Sequence, residues 1–256
     1  MGDETRLVGS DRVLAVLREL AQHSRGIGLE ALAKAVDSPK PTVHRALSSL
    51  RRAGLAAQDG RGRYVLGDEF LRLAFAHYEA RPDHLRVAPA LERLATLFGE
   101  TAHYAVLDGR SIVYRAKVDP PTGAVRLTST IGGRNPAHCT AVGKLLLSFT
   151  LPDDAAVESW VGSGDLERRT ENTKVSAIDL RRELRAIREL GYAVDDQENE
   201  PGVTCIAVPI FLASPTMPSG AVSISALAYR TPLRALREAV PEIRAVVAGK
   251  EAEPAT

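Results

Sequence analysis

The 256-residue sequence predicts an α+β chain in two parts: a helical head ending in a small hairpin, and a larger body in which helices pack on an antiparallel sheet. Three observations predict it. Apolar residues recur at helical spacing through the first fifty positions. Beyond Phe98 the period shifts from about 3.6 to about 2. The formal charge, only +1 overall, divides into +4 for residues 1–66 (eleven Arg/Lys against seven Asp/Glu) and −3 for the remainder. With 45% apolar and 25% charged residues, the chain is not disordered, collagenous or a disulfide scaffold, and its length buries a sizeable core unaided.

In the head, Val13, Leu14, Leu17, Leu20 and Ala21 fall on one helical face, and Gly26 and Gly28 interrupt. Leu29, Leu32, Ala33 and Val36 mark a second, short helix. Asp37-Ser38-Pro39 is a turn cluster. Val43, Ala46, Leu47 and Leu50 mark a third helix ending near Gly54, with Pro41 tolerated in its first turn. Residues 56–66 read as two short strands around the basic, Gly-rich tip Gly60-Arg61-Gly62-Arg63. Helix, helix, turn, helix, hairpin is the order of a winged helix-turn-helix, placed at 7–66. Phe70, Leu71, Ala74 and Tyr78 then suggest a linker helix within 67–81, closed or restarted at Pro82.

The body, 82–250, opens with a helix marked by Val87, Leu91, Leu94, Ala95 and Phe98. Ala102–Leu107 and Ser111–Val118 flank Asp108-Gly109-Arg110, a hairpin signal. Residues 124–130 read as another strand before Gly132-Gly133. Ala141–Phe149 reads as a short buried helix. Leu180, Leu184, Ile187 and Leu190 mark a longer one, stopped by Gly191. Residues 192–195, 203–211 and 220–228 read as strands. Leu233, Leu236, Val240, Ile243 and Val247 make a last helix, with Thr231 as N-cap, Pro232 in first position and a kink at Pro241.

From Ser38 to Leu66 the basic residues are Lys40, Arg45, Arg51, Arg52, Arg61 and Arg63, against the single acid Asp59. Such a stripe is the electrostatic footprint of a phosphate-backbone binder. With the apolar face of the third helix turned inward, Ser38, Lys40, Thr42, His44, Arg45, Ser48 and Arg52 are candidate contacts to phosphates and base edges, and Ser49 shares their face. Arg61 and Arg63 reach an adjacent groove or backbone. Tyr64 is the one aromatic residue in 1–66. Single strands are usually held on stacking platforms, so duplex DNA is the expected target.

Residues 11–66, and above all Pro39-Lys-Pro-Thr-Val-His-Arg-Ala-Leu-Ser-Ser-Leu50, resemble the DNA-binding domain of the IclR-type (isocitrate lyase regulator) transcription factors. Two further stretches are similar to the same family: Gly133-Arg-Asn-Pro-Ala-His-Cys-Thr-Ala-Val-Gly-Lys-Leu-Leu-Leu147 and Asp195-Asp-Gln-Glu-Asn-Glu-Pro-Gly-Val-Thr-Cys-Ile-Ala-Val-Pro209. The resemblance runs from about residue 7 to residue 248. It departs at Asp37 and Ser38, where Gly and an apolar residue are common, and at Pro41, where a small polar residue is usual.

The resemblance implies a C-terminal effector domain similar to GAF-type sensors, dimers or tetramers, a pseudopalindromic operator, and repression or activation in response to small organic acids. It implies backbone N–H groups of Ala141 and Val142 facing an anionic ligand, as suits a helix N-terminus. Asp195, Cys205, Ser223 and Ser225 match the family's polar effector contacts. Leu127 and Asn135 match the walls, Asn135 standing where an apolar residue is frequent. On the residues alone, Ser223 and Ser225 alternate with Val222 and Ile224 and share one strand face, as satisfied core hydroxyls or as ligand donors. An ionised Asp195 repels a bound carboxylate at short range. It therefore accepts a hydrogen bond from a ligand hydroxyl or carries a proton, which suggests a hydroxy or keto acid.

Other chemistries are weaker. Cys139 and Cys205, the only cysteines, fit a reduced cytoplasmic compartment. His138, Cys139 and Cys205 lack zinc-motif spacing, and no cofactor motif stands out. Asp195 and Glu198 more readily shape a loop than form a catalytic carboxylate pair. The polar N-terminus is not a signal peptide, and no apolar run approaches the roughly 18 residues of a membrane span. The expected function is therefore a DNA-binding regulator without enzymatic activity. The alternative is a small-molecule enzyme with a fused DNA-binding head.

Overall fold

A computed structural model describes residues 9–79, 83–121, 127–162 and 166–249. The chain divides into two compact units, Met1–Pro82 and Asp83–Thr256. Expectations for residues 7–8, 80–82, 124–126 and 250 lie outside the described residues.

The first unit runs α1 (Gly9–Gln22), α2 (Leu29–Ala35), α3 (Lys40–Arg52), β1 (Ala56–Gln58), β2 (Tyr64–Leu66) and α4 (Asp68–Glu79). Val16 and Leu20 of α1, Leu32 of α2, and Val43, Leu47 and Leu50 of α3 meet in one core with Ala56 and Tyr64. Asp37 adopts a left-handed φ of 43° between α2 and α3, a conformation Asp tolerates better than most residues. Pro39 caps α3, and Pro41 lies in its first turn, where a missing N–H leaves no bond unmade. The antiparallel β1–β2 tip is tied by Asp59, whose Oδ1 accepts the N–H groups of Arg61 (2.9 Å) and Arg63 (2.8 Å).

The second unit contains α5 (Asp83–Phe98), β3 (Thr101–Asp108), β4 (Ser111–Val118), β5 (Arg134–Pro136), a 3₁₀ turn (Ala137–Cys139), α6 (Ala141–Thr150), α7 (Asp154–Val161), α8 (Ala177–Leu190), β6 (Ala193–Asp196), β7 (Val203–Ile210), β8 (Gly220–Leu227), α9 (Leu233–Glu238) and α10 (Val240–Val247). Its six strands form an antiparallel sheet in the order β5-β4-β3-β8-β7-β6. Helices cover both faces. Leu145, Leu147, Leu180 and Leu184 pack with Ala105, Ile112 and Ala221 on one side. Val87, Leu91, Leu94, Leu236 and Ile243 pack with Ile206, Val222 and Ile224 on the other. Because a strand alternates its faces, Ser223 and Ser225 necessarily point to the α6 side.

Three local expectations are corrected. Residues 127–130 are not a strand: Lys117 Nζ donates to the carbonyls of Leu127 (2.9 Å) and Ser129 (2.9 Å), taking acceptors a ladder would need. The strand comes later, as β5, after a turn at Gly132 and Gly133. The single last helix is two, α9 and α10, separated at Ala239, because Pro241 offers no N–H to continue the ladder. Thr231 does not cap it; Pro232 does, and the Thr231 hydroxyl donates to Glu100 Oε1 at 2.6 Å. The helix α7, capped by Asp153, and the strand β5 are elements that the sequence pattern does not announce.

Candidate functional site

On α3, the apolar face buries Val43, Ala46, Leu47 and Leu50, which turns His44, Arg45, Arg51 and Arg52 to solvent with Thr42, Ser48 and Ser49 half-exposed beside them. Lys40 Nζ lies 2.8 Å from Glu30 Oε1 and Arg63 Nε lies 3.1 Å from Asp59 Oδ2. Exposed pairs of this kind are weak and exchange readily for a phosphate. Among the described residues Arg45, Arg51 and Arg61 make no ion pair. The Ser38 hydroxyl is turned back to the Val36 carbonyl (3.2 Å), and that of Ser48 to His44 O (2.8 Å). Arg52 donates to Ser49 Oγ at 3.0 Å. Arg51, counted in the basic stripe but not among the candidate contacts, is as exposed as Arg52.

The second unit holds a cavity of about 210 Å³ whose wall includes Leu127, Asn135, Ala141, Val142, Asp195, Cys205, Ser223 and Ser225. Strand register explains how distant residues meet. Asp195 pairs with Cys205, Cys205 with Ser225, and Ser223 with His103, so these side chains lie on one face in neighbouring rows. The Cys205 thiol donates to Ser225 Oγ (3.1 Å), which also lies 3.3 Å from His103 Nδ1. His103 Nε2 meets Ser129 Oγ at 2.8 Å, and its ring stacks obliquely on Tyr114 with centroids 4.8 Å apart. Asn135 Nδ2 donates to the Tyr114 hydroxyl at 3.2 Å.

The helix α6 opens onto this wall. Thr140 caps it, accepting the Gly143 N–H at 3.1 Å. The Lys144 N–H takes the Thr140 carbonyl (2.9 Å), which leaves the N–H groups of Ala141 and Val142 without partners inside the helix. Gly143 is required by close approach: a Cβ there would collide with the Ala137 carbonyl group. Behind the wall, Lys144 is fully buried and reaches Glu198 Oε1 (2.5 Å) and Glu183 Oε2 (3.0 Å).

Burial sets the protonation of the site. It pushes the Asp195 carboxyl up from 3.8 to about 7, against the opposing N–H bond from Glu198 (2.7 Å to Oδ1) and the charge of Lys144. It pushes His103 down to about 3, with help from Lys117, so the imidazole is neutral. It raises the Tyr114 hydroxyl, carries the Cys139 thiol up to about 12 and holds Cys205 well above its ordinary value. Neither thiol is a nucleophile at neutral pH. His138 Nε2 donates to the Glu167 carbonyl, 2.9 Å away, as a loop histidine.

Sequence reasoning missed His103, Tyr114, Ser129, Arg134, Arg169 and Asn199 in the wall. For His103 a signal existed: a histidine alternating with Ala102 and Tyr104 along a strand shares the face of its cross-strand partner Ser223. The others come from a neighbouring strand or from loops.

The IclR helix-turn-helix family profile matches residues 10–60, and that of the bacterial transcriptional regulator IclR C-terminal region matches residues 84–249. The Pca regulon regulatory protein of Pseudomonas putida is 32% identical over 213 residues, 83% of this chain and 72% of that protein. The DNA-binding transcriptional repressor YiaJ of Escherichia coli is 33% identical over 217 residues, 84% of this chain and 76% of that one. The crystal structure of RHA06195 from Rhodococcus sp. RHA1 superposes with a TM-score of 0.76 at 32% identity, covering 93% of this chain and 94% of that one. A basic helix presented on a winged head, and two profiles that between them span most of the sequence, lead to one conclusion: the chain belongs to the IclR family and is a DNA-binding transcriptional regulator, not an enzyme.

Proposed function

We propose that this regulator reads a pseudopalindromic operator in duplex DNA through α3 and the β1–β2 hairpin, and that a small hydroxy or keto acid bound beside α6 shifts its operator affinity. Residues 7–66 are then the DNA-binding part, 67–81 a linker and 82–250 the effector part, acting in the cytoplasm. The observation that carries the DNA reading is the outward face of α3, with Arg45 exposed and unpaired and Lys40 held only by an exposed carboxylate. Self-association fits a two-fold operator. It is supported by α4, which exposes Leu71 (48%), Leu73 (48%) and Phe75 (62%). No helix among the described residues is long and apolar enough to cross a membrane.

Changing Lys40 and Arg45 together to Ala is expected to weaken operator binding by about tenfold or more, and to lower the salt slope of binding by about one for each phosphate left without its cation. The wild-type circular dichroism spectrum should be kept, since neither side chain belongs to the core. Wild-type affinity and salt slope in a gel-shift titration would remove α3 as the reading helix. For the effector, a Ser223→Ala, Ser225→Ala protein is expected to bind operator normally but to lose its response to the inducing acid. A ligand moves such an equilibrium only through differential affinity for two states. Full response in the double variant counts against this cavity.

A further inference from the structure

The inner wall of the cavity beside α6 is shut off from solvent. His103, Ala141, Val142, Asp195, Ser223 and Ser225 are each at most 6% exposed, so a ligand reaches them only if part of the wall moves. Most of the wall is fixed. Asn135 belongs to β5, which is paired with β4, and Ala141 and Val142 begin a helix capped by Thr140. The loop after β6 is tied on both sides. The Thr170 hydroxyl donates to the Gln197 carbonyl (2.6 Å) and that of Thr173 to the Glu198 carbonyl (2.6 Å), while the N–H groups of Glu198 (2.7 Å) and Asn199 (3.4 Å) donate to Asp195 Oδ1. The segment 127–130 differs. All four of its residues line the cavity. Yet among the described residues none of 127–129 shares a main-chain hydrogen bond with another main chain. Its C-terminal end turns at Gly132, whose φ of 82° suits glycine, and there the Gly132 N–H donates to the Tyr114 carbonyl at 2.8 Å and joins the turn to β4.

Two side chains hold this segment down. Lys117 stands opposite His103 in the β3–β4 register and so shares its face of the sheet. The three donors of its ammonium group are all engaged: with the carbonyls of Leu127 (2.9 Å) and Ser129 (2.9 Å), and with Asp119 Oδ1 (3.2 Å), which also accepts the Thr101 hydroxyl at 3.1 Å. The second tie is Ser129 Oγ, 2.8 Å from His103 Nε2. Of the two, the bonds from the ammonium are charge-assisted and the stronger. A segment held by side chains, with no ladder to unzip, opens locally while the sheet behind it stays intact. We propose that 127–130 is the movable wall through which an effector enters, and that Lys117 is the positioning residue that sets how often it opens. Lys117 acts on the ligand only through the segment it pins. The proposal rests on the effector reading for what enters; the opening itself belongs to the ligand-free protein.

The two cysteines supply the readout. The half-buried Cys205 thiol lies in the cavity wall, donating to Ser225 Oγ, and reports local opening. Cys139 is fully buried and reports unfolding of the whole unit. The full-length, ligand-free protein is treated at pH 8 with the bulky reagent N-(1-pyrenyl)maleimide, and the two cysteine peptides are quantified by mass spectrometry. In the wild type, Cys205 is expected to react about a hundredfold more slowly than in the urea-unfolded chain. Lys117→Met is expected to speed Cys205 about tenfold and leave Cys139 unchanged. Lys117→Arg keeps the charge and paired donors and is expected to return Cys205 close to its wild-type rate. Wild-type labelling as fast as in the unfolded chain overturns the proposal, because the wall is then never shut. An unchanged Cys205 rate in Lys117→Met overturns it too, as does a Cys139 rate that rises in step, since the lysine then supports the fold and not the segment. Should Lys117→Met not fold, Ser129→Ala cuts the second tie and is expected to speed Cys205 about threefold with Cys139 unchanged; no change there is equally fatal. Each of these failures leaves the effector reading standing. Full effector response in the Ser223, Ser225 double variant instead removes that reading, and with it the role proposed for the opening.

Discussion

Replacing Lys144 by Met destabilises the fold by about 3–5 kcal/mol, the expected cost of leaving a buried carboxylate without its cation. Lys144 is 0% exposed and Glu198 2%. Burial alone drives the ammonium toward neutrality, yet Glu198 and Glu183 outweigh it and hold the Lys144 pKa above its ordinary value. Glu183 is about one-third exposed and falls back on water when the lysine is removed; Glu198 has no such exit, and its Oε2 already lacks a hydrogen-bond partner. The Glu198 main chain also donates to Asp195, so the damage reaches the cavity wall. Removing both charges tests the cause. A Lys144→Met, Glu198→Leu protein is expected to recover most of the deficit in urea unfolding, since replacing a whole buried pair by apolar groups is often nearly neutral. A double variant no more stable than Lys144→Met alone would show that packing, and not the orphaned charge, is responsible.

That pair also marks the limit of what the sequence discloses. Periodicity located α3 and its outward residues because a helix repeats every 3.6 residues, and the same residues that bury one face define the other. Alternation put Ser223 and Ser225 on one strand face for the same reason. Neither signal reaches across the sheet. The partner of Lys144 is 54 positions away, and the contact between His103 and Ser225 spans 122. Only the order β3-β8-β7-β6 brings these groups together. The segment 127–130 misled for a related reason. Its residues have the composition of a strand, but a lysine on β4 takes their carbonyls, and local pattern carries no trace of a distant donor. At the chain end, Pro241 announced an interruption correctly while leaving open that the helix would divide in two.

Two buried groups in the same cavity are expected to tilt stability with pH in opposite directions, and Asp195→Asn separates them. Asp195 has a native pKa of about 7 against 3.8 when exposed, so between about pH 4 and pH 7 the native state holds a proton that the unfolded chain has released. Stability therefore falls through that window, by about 4 kcal/mol in total, and is level above it. His103 runs the other way. Its native pKa of about 3 lies below the exposed value of 6.5, so from pH 3 to 6.5 the unfolded chain binds the extra proton and stability rises with pH, by about 5 kcal/mol. Over their shared window, about pH 4 to 6.5, the two slopes oppose and the wild-type profile conceals both. The free-energy difference between Asp195→Asn and wild type is expected to grow in favour of the variant from about pH 4 to pH 7 and then stay constant. For His103→Gln the corresponding gain is expected to appear only as pH falls below 6.5. A difference curve for Asp195→Asn that is flat from pH 4 to 8 would mean that the carboxylate is ionised at no cost in the native state. The N–H bonds from Glu198 and Asn199 and the charge of Lys144 would then be strong enough to offset its burial, and an arriving anion would meet a full negative charge.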